Sequence, residues 1–225
     1  AGQKAVVWMS VRSSMKRMQR CMRIRRVERN AENRMANWVS AGCGVIANEL
    51  AQAMEKRGQK LYGVVNRTPE KAVAFAEKYG VQKVFTSFQD VCADPAVDII
   101  YISTPHNTHI HFLRKALAAG KHVLCEKPLA PTPKQTVELF EAAKEKGVFL
   151  MEAYAYLHSP FVTALKKEIE EGTIGEIRYI ESQFLTSYYD KSNIRLHKEN
   201  YGGAVYDLGC YNTSMLLKLL EDMPS

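Results

Sequence analysis

The chain has 225 residues, 46% of them hydrophobic and 24% charged, as in a globular protein. That length holds one large domain, or a dinucleotide-binding domain with part of a second, and no apolar run approaches the roughly 18 residues that a membrane helix needs. The formal charge of +7 is local: residues 1–36 hold ten of the 31 Lys and Arg but two of the 24 Asp and Glu, leaving a body of 21 basic and 22 acidic side chains with no nucleic-acid signature.

Residues 1–36 are Met- and Arg-rich, and their apolar residues follow neither a helical nor a strand period. Three readings compete for them: a disordered or non-native extension, a mitochondrial transit peptide, and a basic arm for nucleic acid or anionic membrane. The first is adopted. From residue 37 the pattern becomes regular. Trp38-Val39-Ser40-Ala41 is a weak strand candidate, short and half polar, and leads into Gly42-Cys43-Gly44-Val45-Ile46-Ala47 and a helix over 46–56. A strand over 61–66 follows, then a helix with Thr68 as N-cap, Pro69 in its first turn and Gly80 as its stop. Strands are predicted over 81–85, 98–103, 122–125 and 148–153, and helices over 87–93, 107–119 and 132–146. Strand and helix thus alternate, with glycines at helix exits, which is the pattern of a parallel sheet built from right-handed βαβ units. After about residue 155 the style changes: a helix over 161–171, an alternating strand over 176–185 and an apolar helix over 204–220. The expected domains are therefore a nucleotide-binding one over 37–155 and a partial substrate or oligomerisation domain over 156–225.

In parallel sheets ligands bind at the carboxyl ends of strands, and the motifs fall there. Gly42-x-Gly44-x-x-Ala47 lets the main chain approach a pyrophosphate while the following helix supplies N–H donors, which makes Gly42, Gly44, Val45 and Ile46 cofactor candidates. Asn66 and Arg67 end the second strand where an NAD site usually carries an acid, a substitution that favours the 2′-phosphate of NADP, with NAD as the alternative. Thr104, Pro105, His106 and His109 follow the fourth strand. His106 and His109 are expected to line the nicotinamide cleft or to cap the helix, with His111 exposed. No metal is expected, since no Cys or carboxylate supports the histidines. Glu126 and Lys127 end the next strand, with Pro128 fixing the backbone, and a lysine there can hydrogen-bond a substrate hydroxyl. Asp207 and Tyr211, four apart on a predicted helix, share a face, and a phenol beside a lysine can act as general acid/base.

These motifs together resemble the Gfo/Idh/MocA oxidoreductases over about residues 37–220. The similarity rests on the glycine turn, Thr104-Pro105-His106-Asn107-Thr108-His109, Glu126-Lys127-Pro128, and Gly202-Gly203-Ala204 through Asp207 to Tyr211. Tyr211, where many members have His, points to the dihydrodiol dehydrogenase-like branch. The resemblance implies an α/β fold: a Rossmann-type parallel-sheet domain followed by an incomplete α+β second domain. It also implies hydride transfer between a nicotinamide and a carbinol carbon of a sugar, cyclitol or dihydrodiol. Tyr211 would be the acid/base, Lys127 its partner and Asp207 an orienting group, with Tyr154 also facing substrate. Arg195, His197 and Asn200 are the specificity candidates. The family's second domain runs on past the equivalent of Ser225, so the chain reads as C-terminally truncated, and the full-length form is expected to be a homo-oligomer. The five cysteines (Cys21, Cys43, Cys92, Cys125, Cys210) contain no C-x-x-C pair, which suggests reduced thiols and a cytoplasmic setting. The rival reading is a non-catalytic nucleotide-binding or regulatory fragment.

Overall fold

The computed structural model describes residues 35–186 and 190–220, so nearly all of the basic extension expected over 1–36 lies outside the described residues. The described chain forms two compact units, one over 35–153 with 199–201 and the other over 154–198 with 202–220.

The first unit is a six-stranded parallel sheet with helices on both faces. In chain order its elements are β1 (Trp38–Ala41), α1 (Val45–Glu55), β2 (Gly63–Val65), α2 (Pro69–Tyr79), β3 (Lys83–Val84), α3 (Phe88–Ala93) and β4 (Ile99–Ile102). There follow a 3-10 turn (His106–Thr108), α4 (His109–Ala118), β5 (His122–Glu126), α5 (Pro133–Glu145) and β6 (Leu150–Ala153). The strand order is 3-2-1-4-5-6, so the direction of winding reverses between β1 and β4. That reversal opens the crevice in which such sheets hold ligands.

Strand side chains alternate between two cores. Ile99 and Tyr101 join Ala47, Leu50 and Met54 of α1 and Phe75 of α2 on one face. Ile100 and Ile102 join Val91 of α3, Leu113 and Leu117 of α4 and Leu139 of α5 on the other. A strand covered on both faces needs no polar alternation, and this explains β4. The same coverage corrects the expectation of a weak β1. Its four residues are all buried, it pairs with β2 and β4, and the Ser40 hydroxyl donates to the Gly42 carbonyl at 2.9 Å. A satisfied hydroxyl removes the main penalty of a polar residue in the core. Ser87 and Thr132 accept N-cap bonds at the starts of α3 and α5, whereas the expected cap Thr68 makes no side-chain bond.

The second unit has a smaller core. Tyr156, Val162, Met215 and Leu219 pack between α6 (Pro160–Glu170) and α7 (Cys210–Leu220). The strand expected over 176–185 does not form, and Tyr179 and Leu185 are about two-thirds exposed, at 68% and 70%. Alternating apolar residues make a strand only when a neighbour completes the ladder, and the described residues offer none. The expected helix over 204–220 begins with a π-helical turn at Val205–Gly209 before α7.

Candidate active site

The glycine turn is shaped by close approach. Gly42 has φ +115° and donates its N–H to the Val65 carbonyl at 2.9 Å. A Cβ at Gly42 would lie 2.8 Å from Ser103 Oγ and 3.0 Å from Ser103 O, so a side chain there would have to displace the end of β4. Gly44 caps α1 in an extended conformation, and nothing lies within 4 Å of the position a Cβ would occupy. No side chain caps α1, no acid stands in its first turn, and Val45 is 72% exposed. An uncapped helix N-terminus beside an open glycine fits a pyrophosphate.

Beyond β2, Asn66 turns its amide onto the Thr68 carbonyl at 3.1 Å, while Arg67 is exposed. Lys71, which the sequence reading passed over, stands in the first turn of α2 close enough to draw down the Cys43 thiol, although burial pushes that thiol up to about 11. A cation in a helix's first turn opposes the helix dipole, and this was the signal available in the sequence. Arg67 and Lys71 together suit a phosphate at the ribose.

After β4, the Thr108 hydroxyl donates to Thr104 Oγ1 and the Pro105 carbonyl, both at 2.7 Å. Asn107 donates to the Glu199 carbonyl and to Asn200 Oδ1, both at 3.1 Å. The His106 ring lies 3.5 Å from the Tyr201 carbonyl, a long contact. Asn200, a specificity candidate, is therefore placed beside this loop. His109, expected either to line the nicotinamide cleft or to cap the helix, begins α4. Its side chain is fully buried, with Nδ1 2.9 Å from the Pro128 carbonyl and Nε2 2.9 Å from the Thr104 carbonyl. A neutral imidazole has one N–H to offer two acceptors. Burial foremost, with the nearby Lys127 charge, holds its proton affinity below the usual range despite both carbonyls.

At the end of β5, Tyr101 donates from its hydroxyl to Glu126 Oε1 at 2.6 Å. Burial pushes Glu126 up to about 7, with Glu49 of α1 adding to the push, while Tyr101 and the adjacent Lys127 pull it down. Lys127 is 8% exposed and the peptide bond to Pro128 is cis. The N–H of Leu129 donates to Glu152 Oε1 of β6 at 2.7 Å. Neither Tyr101 nor Glu152 announces itself in the sequence, since each reads as part of a strand.

In the second unit, the Arg195 Nε donates to Asp207 Oδ1 at 3.1 Å, and Asp207 is 4% exposed. Gly202 permits this fold, because a Cβ there would lie 2.5 Å from the Arg195 carbonyl. Tyr211 stacks on Phe184 with ring centroids 4.8 Å apart, and Tyr154 meets it edge-on at 5.9 Å. The substrate candidates Tyr154 and Tyr211 are thus brought together. Asp207 lies in the π-helical turn Val205–Gly209 and Tyr211 in the first turn of α7. His197, the remaining specificity candidate, points Nε2 to the Lys191 carbonyl at 3.0 Å.

Residues 36–154, more than half of the chain, match the model of the oxidoreductase family with an NAD-binding Rossmann fold, and residues 162–225 match the Gfo/Idh/MocA C-terminal domain. The chain belongs to the Gfo/Idh/MocA oxidoreductase family. It is 33% identical over 177 residues to a trans-1,2-dihydrobenzene-1,2-diol dehydrogenase of Xenopus laevis, covering 77% of this chain and 53% of that protein. Its identity to a D-xylose 1-dehydrogenase (NADP(+)) of Haloferax volcanii is 31% over 176 residues, covering 78% of this chain and 53% of that one. Among solved structures, a 3-ketoreductase from Actinomadura kijaniata in complex with NADP and TDP-benzene superposes with a TM-score of 0.78 at 30% identity. That match covers 82% of this chain and 57% of the other. The chain therefore spans about half the length of the curated relatives it matches.

Proposed function

We propose that the whole protein is an NADP-preferring oxidoreductase that moves hydride between a nicotinamide and a carbinol carbon of a sugar, cyclitol or dihydrodiol. The observation that carries this reading is the uncapped N-terminus of α1 behind Gly42 and Gly44, at the reversal of strand order, with Lys127 at a strand end of the same sheet. Arg67 and Lys71 favour NADP over NAD through the extra phosphate. The relatives named above, a dihydrodiol dehydrogenase and a xylose dehydrogenase, support the substrate class.

When bound, the nicotinamide accepts or supplies the hydride. The work of this chain is on the proton: Lys127 donates a hydrogen bond to the substrate hydroxyl, Tyr211 takes that proton as hydride leaves carbon and returns it in reduction, and Asp207, held by Arg195, orients the substrate. Tyr154 borders Tyr211 and limits what can lie on it. A cytoplasmic location fits the unpatterned cysteines, and assembly of the full-length form into homo-oligomers fits apolar residues such as Val205, 77% exposed.

Titration with NADPH and NADH, followed by nicotinamide fluorescence, tests the reading. Tighter binding of NADPH is expected, with Arg67→Ala weakening NADPH about tenfold and leaving NADH nearly unchanged. Equal affinities unaffected by the substitution would remove the phosphate assignment. Binding without turnover on a polyol panel would favour a nucleotide-binding role.

A further inference from the structure

Lys127 would act from the tip of a long, flexible side chain, so the backbone beneath it decides where the ammonium can be. The β5 ladder ends at the pair Glu126 and Ala153, and the chain beyond it leaves the sheet. The peptide group between Pro128 and Leu129 is then gripped on both edges. Its carbonyl faces His109 Nδ1 at 2.9 Å, and its N–H donates to Glu152 Oε1 at 2.7 Å. The C=O and N–H of a peptide point in opposite directions, so the two side chains hold it from opposite sides, one from the start of α4 and one from β6. His109 reaches on to the Thr104 carbonyl at 2.9 Å and so ties the loop after β4 to the same peptide. Leu129 is 2% exposed and anchors its other side in the core.

A turn that needed only to be closed could be closed by apolar packing or a neutral hydroxyl. Here two ionisable side chains are used instead, and the fully buried His109 carries a desolvation penalty that packing alone would avoid. The carboxylate–amide bond is short, as expected when the acceptor is charged, and such a bond resists displacement better than a neutral one.

We propose that Glu152 and His109 are positioning residues that clamp the Pro128–Leu129 peptide and thereby hold the Lys127 ammonium in place for proton transfer. The proposal rests on the reading of Lys127 as the group that handles the substrate hydroxyl. The clamp itself is visible without turnover.

The test uses the chain without cofactor, comparing the parent with Glu152→Ala, Glu152→Gln and His109→Phe. Two quantities are read: amide hydrogen exchange at Leu129 by NMR, and the rate of Lys127 acetylation by acetic anhydride. Glu152→Ala is expected to speed Leu129 exchange about tenfold or more and to change Lys127 acetylation several-fold, while Glu152→Gln, which keeps an oxygen acceptor, restores most of both. His109→Phe, which keeps the ring and removes its nitrogens, is expected to change Lys127 acetylation in the same direction. An unchanged Leu129 or an unchanged Lys127 in Glu152→Ala overturns the proposal, as does a Gln variant no better than Ala. Should Glu152→Ala not fold, Glu152→Gln carries the test in smaller form: a roughly twofold to threefold faster exchange at Leu129 and a smaller change at Lys127 are expected from loss of the charge, and no change at Leu129 would overturn it. NADPH affinity is measured on the same samples. Its absence in the parent chain counts against the proposed function and leaves the Leu129 and Lys127 readings intact.

Discussion

The two units of this chain differ in how their apolar residues are satisfied. In the first, β1 and β4 are buried on both faces between α1 and α2 on one side and α3, α4 and α5 on the other. In the second, four buried residues between α6 and α7 form the core, and the segment over 176–185 forms no strand, touching the unit through side chains such as Phe184 on Tyr211. A parallel sheet assembled from successive βαβ units closes its own core within a short stretch of sequence. A lone extended segment depends on residues farther away.

Truncating one side chain in each core would break that comparison most forcefully. Leu113→Ala empties a fully buried site in the first unit and is expected to destabilise it by about 3 kcal/mol, read by denaturant unfolding. Met215→Ala, in the smaller core at 7% exposure, should lower stability by about 1–2 kcal/mol and leave NADPH affinity within about twofold. Equal effects on both units would mean that they unfold as one.

A pair of glycine substitutions sharpens the same contrast. Gly42→Ala strains a residue at φ +115° and presses on Ser103, so about 2 kcal/mol of stability and at least about tenfold in NADPH affinity should be lost. Gly202→Ala presses on the Arg195 carbonyl instead and should disturb the Arg195–Asp207 pair, with NADPH affinity nearly unchanged. Calorimetric titration distinguishes the two.

The pH dependence of the first unit offers a finer probe. Glu126 binds its proton more tightly in the folded state, at about 7 against an ordinary 4.5, so folding takes up a proton between these values. Its contribution is complete below about pH 4.5 and is withdrawn as pH rises through about 7. Glu126→Gln cannot ionise, so it should match the parent near pH 4 and exceed it by about 3 kcal/mol at pH 8, read from thermal melts. His109 works in the opposite sense. Its proton affinity is depressed by burial, so the stability it contributes above the ordinary value of 6.5 is lost on acidification.

What the sequence discloses follows the same division. β4 and β5 are legible because unbroken apolar runs between glycines have few other uses, and Ser87 and Thr132 mark helix starts by chemistry that acts over three residues. β1 was harder to read, because Ser40 looks out of place until its hydroxyl is seen on the Gly42 carbonyl. The segment over 176–185 is not legible in the same way, because alternation states a capacity to pair and names no partner. At the site, the residues at strand ends could be listed from their motifs, yet their tasks could not. His109 has the spacing of a cofactor contact, and only the fold reveals both its nitrogens turned to backbone carbonyls 19 and 5 residues away. Glu152 grips an amide 23 residues distant, and Tyr101 supports a carboxylate 25 residues on, separations that local patterns do not encode.

An amide-resolved NMR titration of the chain with NADPH tests most directly whether the first unit is a working dinucleotide site. Shifts concentrated at residues 42–47, 66–71 and 104–106, and at Lys127, are the predicted result. Saturating NADPH that leaves those amides unmoved, or that moves only residues elsewhere, would contradict it.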